Sequence, residues 1–231
     1  MREIILDTET TGLDPSKGDR IVEIGAIELF NHLPTGQIFQ VYIDPERNMP
    51  AEAEAVHGLS TAFLAGKPVF AAIARGFLDF IADSVLIIHN ASFDVGFLNA
   101  ELSKQQLPAI FPERVIDTLQ LARQKHPGAV NSLDALCRRY GIDNSKRTRH
   151  GALLDSELLA EVYLELIGGR QTALNLVNVA ARSASSQQTT SPKPGHRPVP
   201  LPERLDSAEK EAHALFVGGL GEDALWKKVR T

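Results

Sequence analysis

The chain has 231 residues, of which 43% are hydrophobic, which is enough for one globular domain with an appendage. Its formal net charge of −5 argues against a general, high-affinity grip on nucleic acid. The single cysteine, Cys137, excludes an internal disulfide framework, and no apolar run approaches the roughly 20 residues that span a bilayer. We therefore expect a cytoplasmic protein without a membrane segment, in which Cys137 is packed rather than reactive.

The first part of the chain reads as a run of strands. Apolar and β-branched residues predict strands over residues 3–8, 21–30 and 37–43. Turn formers separate them, the second set being Pro34, Thr35 and Gly36. Consecutive strands joined by short loops favour an antiparallel meander.

The next part mixes helices with short apolar strands. Helical spacing of apolar residues predicts a helix over 69–83, and the continuous apolar run 85–89 predicts a strand covered on both faces. A helix then follows with Ser92 as its cap, before a strand at 115–116. Further helices are predicted from 118, over 132–140 and over 152–167. The sequence thus predicts an α/β domain over residues 1–170, with a mixed sheet flanked by helices.

The composition changes after residue 182. Residues 183–202 are rich in Ser, Gln, Thr and Pro, which is typical of a flexible linker. Residues 203–231 regain apolar anchors, including Phe216 and Trp226, in a segment too small to fold alone. We expect this C-terminal segment to become ordered on a partner.

Acidic residues stand at the ends of predicted core elements. Asp7 and Glu9 are two positions apart on a strand, so both side chains face the same side. Asp94 and Asp155 lie near helix starts, where the helix dipole alone would stabilise each by about 0.3–1 kcal/mol. The helix dipole cannot explain Asp7 and Glu9, because they lie at the end of a strand and not at the start of a helix. If the four converge, Mg²⁺ or Mn²⁺ would relieve their repulsion, and two such ions suit phosphoryl transfer.

His150 is the candidate proton acceptor. Five residues on a helix would point His150 and Asp155 about 140° apart, so the two can meet only if His150 lies in the preceding loop. A loop histidine with a pKa near neutrality can take a proton from water. The alternative is a surface histidine in a basic loop, which would be favoured if the acids were absent.

Three motifs together resemble the DEDDh exonucleases of the ribonuclease-H-like superfamily: DTETTG at 7–12, HNASFD at 89–94 and HGALLD at 150–155. The resemblance implies a ribonuclease-H-like sheet of three antiparallel strands plus parallel strands. It also implies that Asp7, Glu9, Asp94 and Asp155 bind two divalent metal ions, Mg²⁺ or Mn²⁺. His150 would be the general base.

Two segments, VHGLS at 56–60 and NSLDALCRRYGIDNSKRT at 131–148, are similar to the proofreading exonuclease subunits of bacterial replicative polymerases. The layout of the chain, a domain followed by a linker and a short C-terminal segment, is similar to theirs as well. This resemblance implies a substrate of single-stranded or frayed DNA. Glu52 and His57 would meet its 3′-terminal nucleotide, in a cleft shared with Asp7, Glu9, Asp155, Thr10, Gly12, Asn90 and Phe93. Residues 203–231, with DALWKK at 223–228, would hold the polymerase catalytic subunit. Some relatives also bind a small accessory subunit.

Residues 171–182 contain a candidate clamp-binding segment. Gln171, Leu174 and Leu176 fit the QxxLxL pattern with which bacterial proteins dock on the sliding clamp. An apolar helix continuing from the preceding one would explain the same leucines.

The sequence therefore predicts a 3′→5′ proofreading exonuclease that releases nucleoside monophosphates. Two alternatives stay open. One is a free-standing RNA-processing exonuclease of the same superfamily, and the other is a structural subunit with a degenerate nuclease site.

Overall fold

A computed structural model describes residues 1–145, 147–169 and 206–220. The candidate clamp-binding segment with Gln171, Leu174 and Leu176, the predicted linker and most of the predicted C-terminal segment lie outside the described residues. Contacts divide the chain into two units, Met1–Leu174 and Asn175–Thr231. Within the described ranges, every helix is too short or too polar to cross a membrane.

The described part of the first unit contains five strands, seven α-helices and two short 3₁₀ helices, Pro15–Lys17 and Pro112–Arg114. The strands are β1 (Arg2–Thr10), β2 (Ile21–Phe30), β3 (Leu33–Tyr42), β4 (Val85–Ile88) and β5 (Val115–Asp117). The helices are α1 (Ala51–His57), α2 (Thr61–Leu64), α3 (Phe70–Ile81), α4 (Ala91–Lys104), α5 (Thr118–Lys125), α6 (Leu133–Tyr140) and α7 (Ala152–Leu166). In the second unit, α8 (Ser207–Gly219) is described.

The strands form one mixed sheet in the order β3-β2-β1-β4-β5. The pairs β1–β2 and β2–β3 are antiparallel, whereas β1–β4 and β4–β5 are parallel. The predicted α/β fold, with three antiparallel strands plus parallel strands, is confirmed. Strand β1 is central, and its residues Ile4, Ile5 and Leu6 are fully buried. The carboxyl ends of β1 and β4 lie side by side, which brings the residues that follow them together.

Both faces of the sheet are covered by helices. On one face, Ile4 and Leu6 of β1 belong to a core that includes Phe77 of α3 and Phe97 of α4. On the other face, Ile5 packs in a cluster with α7 residues, among them Leu159 and Tyr163. Cys137 is fully buried in α6, and burial raises the pKa of its thiol to about 11, as expected for a packed cysteine.

Glycine at position 25 lets α7 approach β2 closely. A Cβ atom on Gly25 would lie 2.2 Å from the backbone of Ala152. Ser156 Oγ donates a hydrogen bond to the Gly25 carbonyl at 2.9 Å, and Ala152 N donates to Glu23 Oε2 at 3.2 Å. These contacts fix the first turn of α7, which carries Asp155.

Three boundaries differ from the sequence predictions. Strand β3 begins at Leu33 because the reversal occurs at Asn31 and His32, both with positive φ, so the predicted turn at 34–36 lies in the strand. Proline is tolerated there because β3 is an edge strand. Strand β1 continues to Thr10. The prediction of Ser92 as a cap is wrong, because α4 begins directly after β4 and its N-cap is Asn90, in the left-handed conformation that Asn adopts readily.

Candidate active site

The predicted acids gather at the carboxyl ends of β1 and β4. Asp7 and Glu9 point to the same side of β1, and Asp94 lies in the first turn of α4, which follows β4. Asp155 enters from the first turn of α7. All four line one cleft of about 680 Å³, together with His150 and Asn90. The structure therefore brings together residues that are far apart in sequence.

Asp94 is held by Thr8 of β1. The backbone N–H and the hydroxyl of Thr8 both donate to Asp94 Oδ1, at 3.0 Å and 2.6 Å. Burial of Asp94 raises its pKa to about 7, although the hydrogen bonds from Thr8 favour the charged form. Thr8 thus fixes the position of a carboxyl group whose ionisation burial opposes.

Glu9 and Asp7 are acids of the cleft whose pKa values are raised. Glu9 is 7% exposed, and its Oε1 has no hydrogen-bond partner among the described residues. Burial, followed by repulsion from Asp155 and other acids, raises the pKa of Glu9 to about 8. The pKa of Asp7 is raised well above its ordinary value by burial and then by Asp94, Glu9 and Asp155. Such a set of oxygen donors fits a hard divalent cation, which would favour their charged forms.

Asp155 differs because it is paired with Arg147. Arg147 donates from Nε to Asp155 Oδ1 and from Nη2 to Asp155 Oδ2, the latter at 2.7 Å. Its Nη1 lies 2.8 Å from Asp134 Oδ1. Burial would raise the pKa of Asp155, but hydrogen bonds from Arg147 and His150 outweigh it and keep this pKa below its ordinary value. Arg147 was not among the predicted site residues, because its place eight residues before Asp155 belongs to none of the three motifs.

His150 lies in the loop before α7, as its spacing from Asp155 requires. Its backbone N–H donates to the Val56 carbonyl at 3.2 Å, which ties this loop to α1. The Nδ1 atom is 2.7 Å from Arg147 Nη2 and 3.3 Å from Asp155 Oδ2, and the side chain is 48% exposed. His150, Glu9 and Asp155 each offer a ligand atom within 4.8 Å of the others. Asp7 and Asp94 line the same cleft outside this tightest group.

A second cleft, of about 560 Å³, adjoins the first and shares Thr8, Glu9 and Phe93 with it. Its lining includes the predicted substrate residues Thr10, Gly12, Glu52 and His57. Thr10 Oγ1 donates to the Gly12 carbonyl at 2.6 Å. His57 is buried, its Nδ1 accepts from Leu59 N at 3.0 Å, and its Nε2 has no partner among the described residues. Burial lowers the pKa of His57, which favours its neutral form.

Comparison with known proteins identifies the family of the chain. The exonuclease family model matches residues 4–163. A DNA polymerase III subunit epsilon from Rickettsia prowazekii (strain Madrid E) is 58% identical over 181 residues, covering 77% of this chain and 79% of that protein. The DNA polymerase III subunit epsilon of Escherichia coli (strain K12) is 51% identical over 176 residues, covering 73% of this chain and 72% of that protein.

Solved structures share the fold. Exonuclease X in complex with 5′ overhanging duplex DNA matches with a TM-score of 0.55 and 26% identity, over 71% of this chain and 90% of that one. The nuclease domain of 3′hExo, a DEDDh family member bound to rAMP, matches with a TM-score of 0.63 and 21% identity, over 72% of this chain and 91% of that one. The chain therefore belongs to the exonuclease family and, within it, to the epsilon subunits of DNA polymerase III, which are proofreading 3′→5′ exonucleases.

Proposed function

We propose that this chain removes mispaired 3′-terminal nucleotides for a replicative DNA polymerase, by hydrolysing the last phosphodiester bond and releasing a nucleoside monophosphate. The observation that carries the proposal is the gathering of Asp7, Glu9, Asp94, Asp155 and His150 in one cleft. This cleft adjoins a second one that can receive the end of a strand.

The fold implies dependence on divalent metal. Asp7, Glu9, Asp94 and Asp155 would hold two ions, Mg²⁺ or Mn²⁺, which supply an activated water and neutralise charge on the phosphate. The chain supports this assignment in two ways. Glu9 Oε1 is buried without a partner in the described part of the chain, and the acids raise the pKa values of Asp7 and Glu9, so a cation among them would remove an unfavourable interaction.

His150 would act as the general base. Its half-exposed ring stands beside the acids, where a nitrogen can accept a proton from the attacking water. Asp155 Oδ2, 3.3 Å from Nδ1, would stabilise the imidazolium that then forms, whereas Arg147 Nη2, 2.7 Å from the same atom, would oppose it. The water oxygen bonds to phosphorus, and the bond from phosphorus to the 3′ oxygen of the preceding nucleotide breaks. Proton transfer to that oxygen completes the hydrolysis.

The second cleft would hold the terminal nucleotide. Glu52, His57 and Phe93 line it, together with Thr10, Thr11 and Gly12. A partly apolar pocket suits a base and a sugar, and stacking on an aromatic ring such as Phe93 tolerates every base. A mispaired end is already unpaired, so it costs less to unstack and enters this pocket more often.

The proposed association with a polymerase rests on the second unit and on the relatives. Helix α8 begins with a capping box formed by Asp206 and Glu209, and its Leu215 and Phe216 are exposed. A capped helix with exposed apolar side chains fits a segment that binds a partner, here the catalytic subunit held by residues 203–231. Binding of the sliding clamp through Gln171, Leu174 and Leu176, and of a small accessory subunit, rests on the sequence resemblance alone.

Cleavage of labelled ends tests the proposed function. The purified chain with Mg²⁺ or Mn²⁺ is expected to release mononucleotides from a 3′-labelled single DNA strand, and from a mismatched primer end faster than from a matched one. The same labelled sequence in RNA is the matched substrate control. Faster cleavage of RNA would favour the RNA-processing alternative, and no metal-dependent release from either would contradict the proposal.

A further inference from the structure

The first cleft extends well beyond the acids. Its lining continues past His89 to Arg123 in the last turn of α5 and to Asn131 before α6. The two clefts meet at Thr8, Glu9 and Phe93. If the terminal nucleotide lies in the second cleft and the scissile phosphate at the acids, the preceding nucleotides leave through the first cleft, toward Arg123.

At the end of the first cleft near Arg123, three other basic side chains already bind groups of the protein. Arg147 binds Asp155 and Asp134. Lys125 donates to the carbonyls of Glu165 and Leu166 at the end of α7. Arg139 donates to Asn131 Oδ1 and to the Val130 carbonyl. These contacts leave the three cations little freedom to bind a ligand.

Arg123 is the exception. Its side chain is exposed and lines the cleft, and within the described ranges no carboxylate lies at ion-pair distance from its guanidinium. The charge of Arg123 acts on groups inside the cleft. Burial lowers the pKa of His89, which lines the cleft, and repulsion from Arg123 lowers it further. A strand leaving the acids would meet this cation on the wall of the same cleft.

The charge balance of the cleft explains what Arg123 could bind. Five acids line the cleft, and each one that is ionised without a cation beside it repels a phosphodiester backbone: Asp7, Glu9, Asp94, Asp134 and Asp155. An uncommitted guanidinium offers a planar pair of donors that matches two phosphate oxygens. We infer that Arg123 binds a phosphodiester on the 5′ side of the scissile bond, which makes this end of the cleft a subsite for the single strand. The inference rests on the proposed function.

Two substrates separate this subsite from the hydrolytic centre. A single-stranded oligodeoxynucleotide has upstream phosphodiesters, whereas a chromogenic aryl ester of thymidine 5′-monophosphate has none. Arg123→Gln is expected to raise KM for the oligonucleotide about three- to tenfold with kcat nearly unchanged, and to leave hydrolysis of the ester as in wild type. The slope of log KM against log salt should fall by about 0.7, as for the loss of one phosphate contact on a single strand.

Arg138→Gln is the matched control. Arg138 is also an exposed arginine at a helix end, in α6, but it does not line the cleft, and its replacement changes the net charge equally. Equal losses in the two variants would overturn the inference, because net charge would then explain both. Slower hydrolysis of the ester by Arg123→Gln would also overturn it, since the hydrolytic centre itself would be disturbed. If wild type hydrolyses neither substrate with Mg²⁺ or Mn²⁺, the proposed function fails instead.

Discussion

The acids of the cleft are satisfied in different ways when no cation is bound. Asp94 accepts two hydrogen bonds from Thr8, and Asp155 is paired with Arg147. Glu9 keeps one buried oxygen without a partner among the described residues. Single residues therefore determine how strongly the chain would attract a cation, and at which oxygen atoms.

Arg147 competes with a cation for Asp155. The guanidinium binds both carboxylate oxygens, which a metal ion would also need. Arg147→Gln should therefore lower the free energy of unfolding of the metal-free protein by about 2–4 kcal/mol, because it leaves buried acids without their counter-charge. The same variant should bind Mn²⁺ more tightly. Unfolding with and without Mn²⁺ and calorimetric titration measure the two effects, with Arg138→Gln as the charge-matched control. Weaker Mn²⁺ binding by Arg147→Gln would refute the competition.

The raised pKa values of Glu9 and Asp94 predict an unusual pH dependence. In the folded metal-free protein these values are about 8 and 7, against ordinary values of 4.5 and 3.8. Between the ordinary and the raised values, the folded state binds more protons than the unfolded state. The free energy of unfolding should therefore fall as the pH rises from about 6.5 to 8. Mn²⁺ affinity should rise over the same range, because both groups must lose protons.

Denaturant unfolding at pH 6.5 and at pH 8, in buffer with a metal chelator, measures the slope of the free energy of unfolding against pH. The control is Glu9→Gln, whose side chain at position 9 cannot titrate, so this slope should be smaller. A wild-type stability that rises with pH, or a slope unchanged by Glu9→Gln, would show that burial and repulsion do not raise the pKa values of these acids as described.

How much of the site was predictable follows from where each residue lies. The five central residues belong to local motifs whose spacing is visible in the sequence: Asp7, Glu9, Asp94, His150 and Asp155. Arg147 and Thr8 could not be predicted in the same way. Their partners are set by how the loop before α7 and the start of α4 meet β1, and that arrangement depends on tertiary packing.

Among the elements, the junction between α7 and β2 positions the catalytic side of the cleft. The first turn of α7 is tied to β2 through Ser156 and Ala152, and Gly25 leaves no room for a side chain. The close backbone approach explains why this strand contains a glycine. It also links the stability of the sheet to the position of Asp155.

Gly25→Ala should disrupt this junction. Its Cβ would lie 2.2 Å from backbone atoms that cannot rotate away, so we expect a loss of about 1–3 kcal/mol in the free energy of unfolding and a large loss of exonuclease activity. Gly76→Ala in α3 is the control, since nothing lies within 4 Å of its added Cβ and alanine favours a helix. If Gly25→Ala is as stable and active as Gly76→Ala, the close approach is not required.

The sequence patterns predicted the types of these elements better than their ends. Periodicity predicted helices over 69–83 and 152–167, and the structure has them at Phe70–Ile81 and Ala152–Leu166. The errors at Ser92 and at the start of β3 have one cause. Asn31, His32 and Asn90 adopt positive φ without a glycine, so the sequence gives no clear signal of where the chain turns.

At the scale of the whole molecule, the chain consists of a nuclease unit and a second unit that contains α8. The net charge of −5 is consistent with a nuclease that does not itself grip DNA. A tether to the polymerase would instead raise the local nuclease concentration at the primer end to about the millimolar range.

Deletion of residues 183–231 tests whether hydrolysis and polymerase binding belong to different parts of the chain. The truncated chain should cleave free single strands at the wild-type rate, because the described site lies entirely within 1–169. It should no longer copurify with the polymerase catalytic subunit. A full-length Phe216→Asp variant, altered at one exposed position of α8, should show the same separation in weaker form. Continued copurification of the truncated chain would contradict the proposed tether.

The central claim is that distant acids form one cation site, and crystals grown with Mn²⁺ and a nucleoside monophosphate test it most directly. We expect two anomalous scattering peaks among Asp7, Glu9, Asp94 and Asp155, with the nucleoside in the cleft beside Glu52 and His57. Asp7→Asn crystals should lose at least one of these peaks while keeping the fold. Peaks located elsewhere, or no peak at saturating Mn²⁺, would contradict the account.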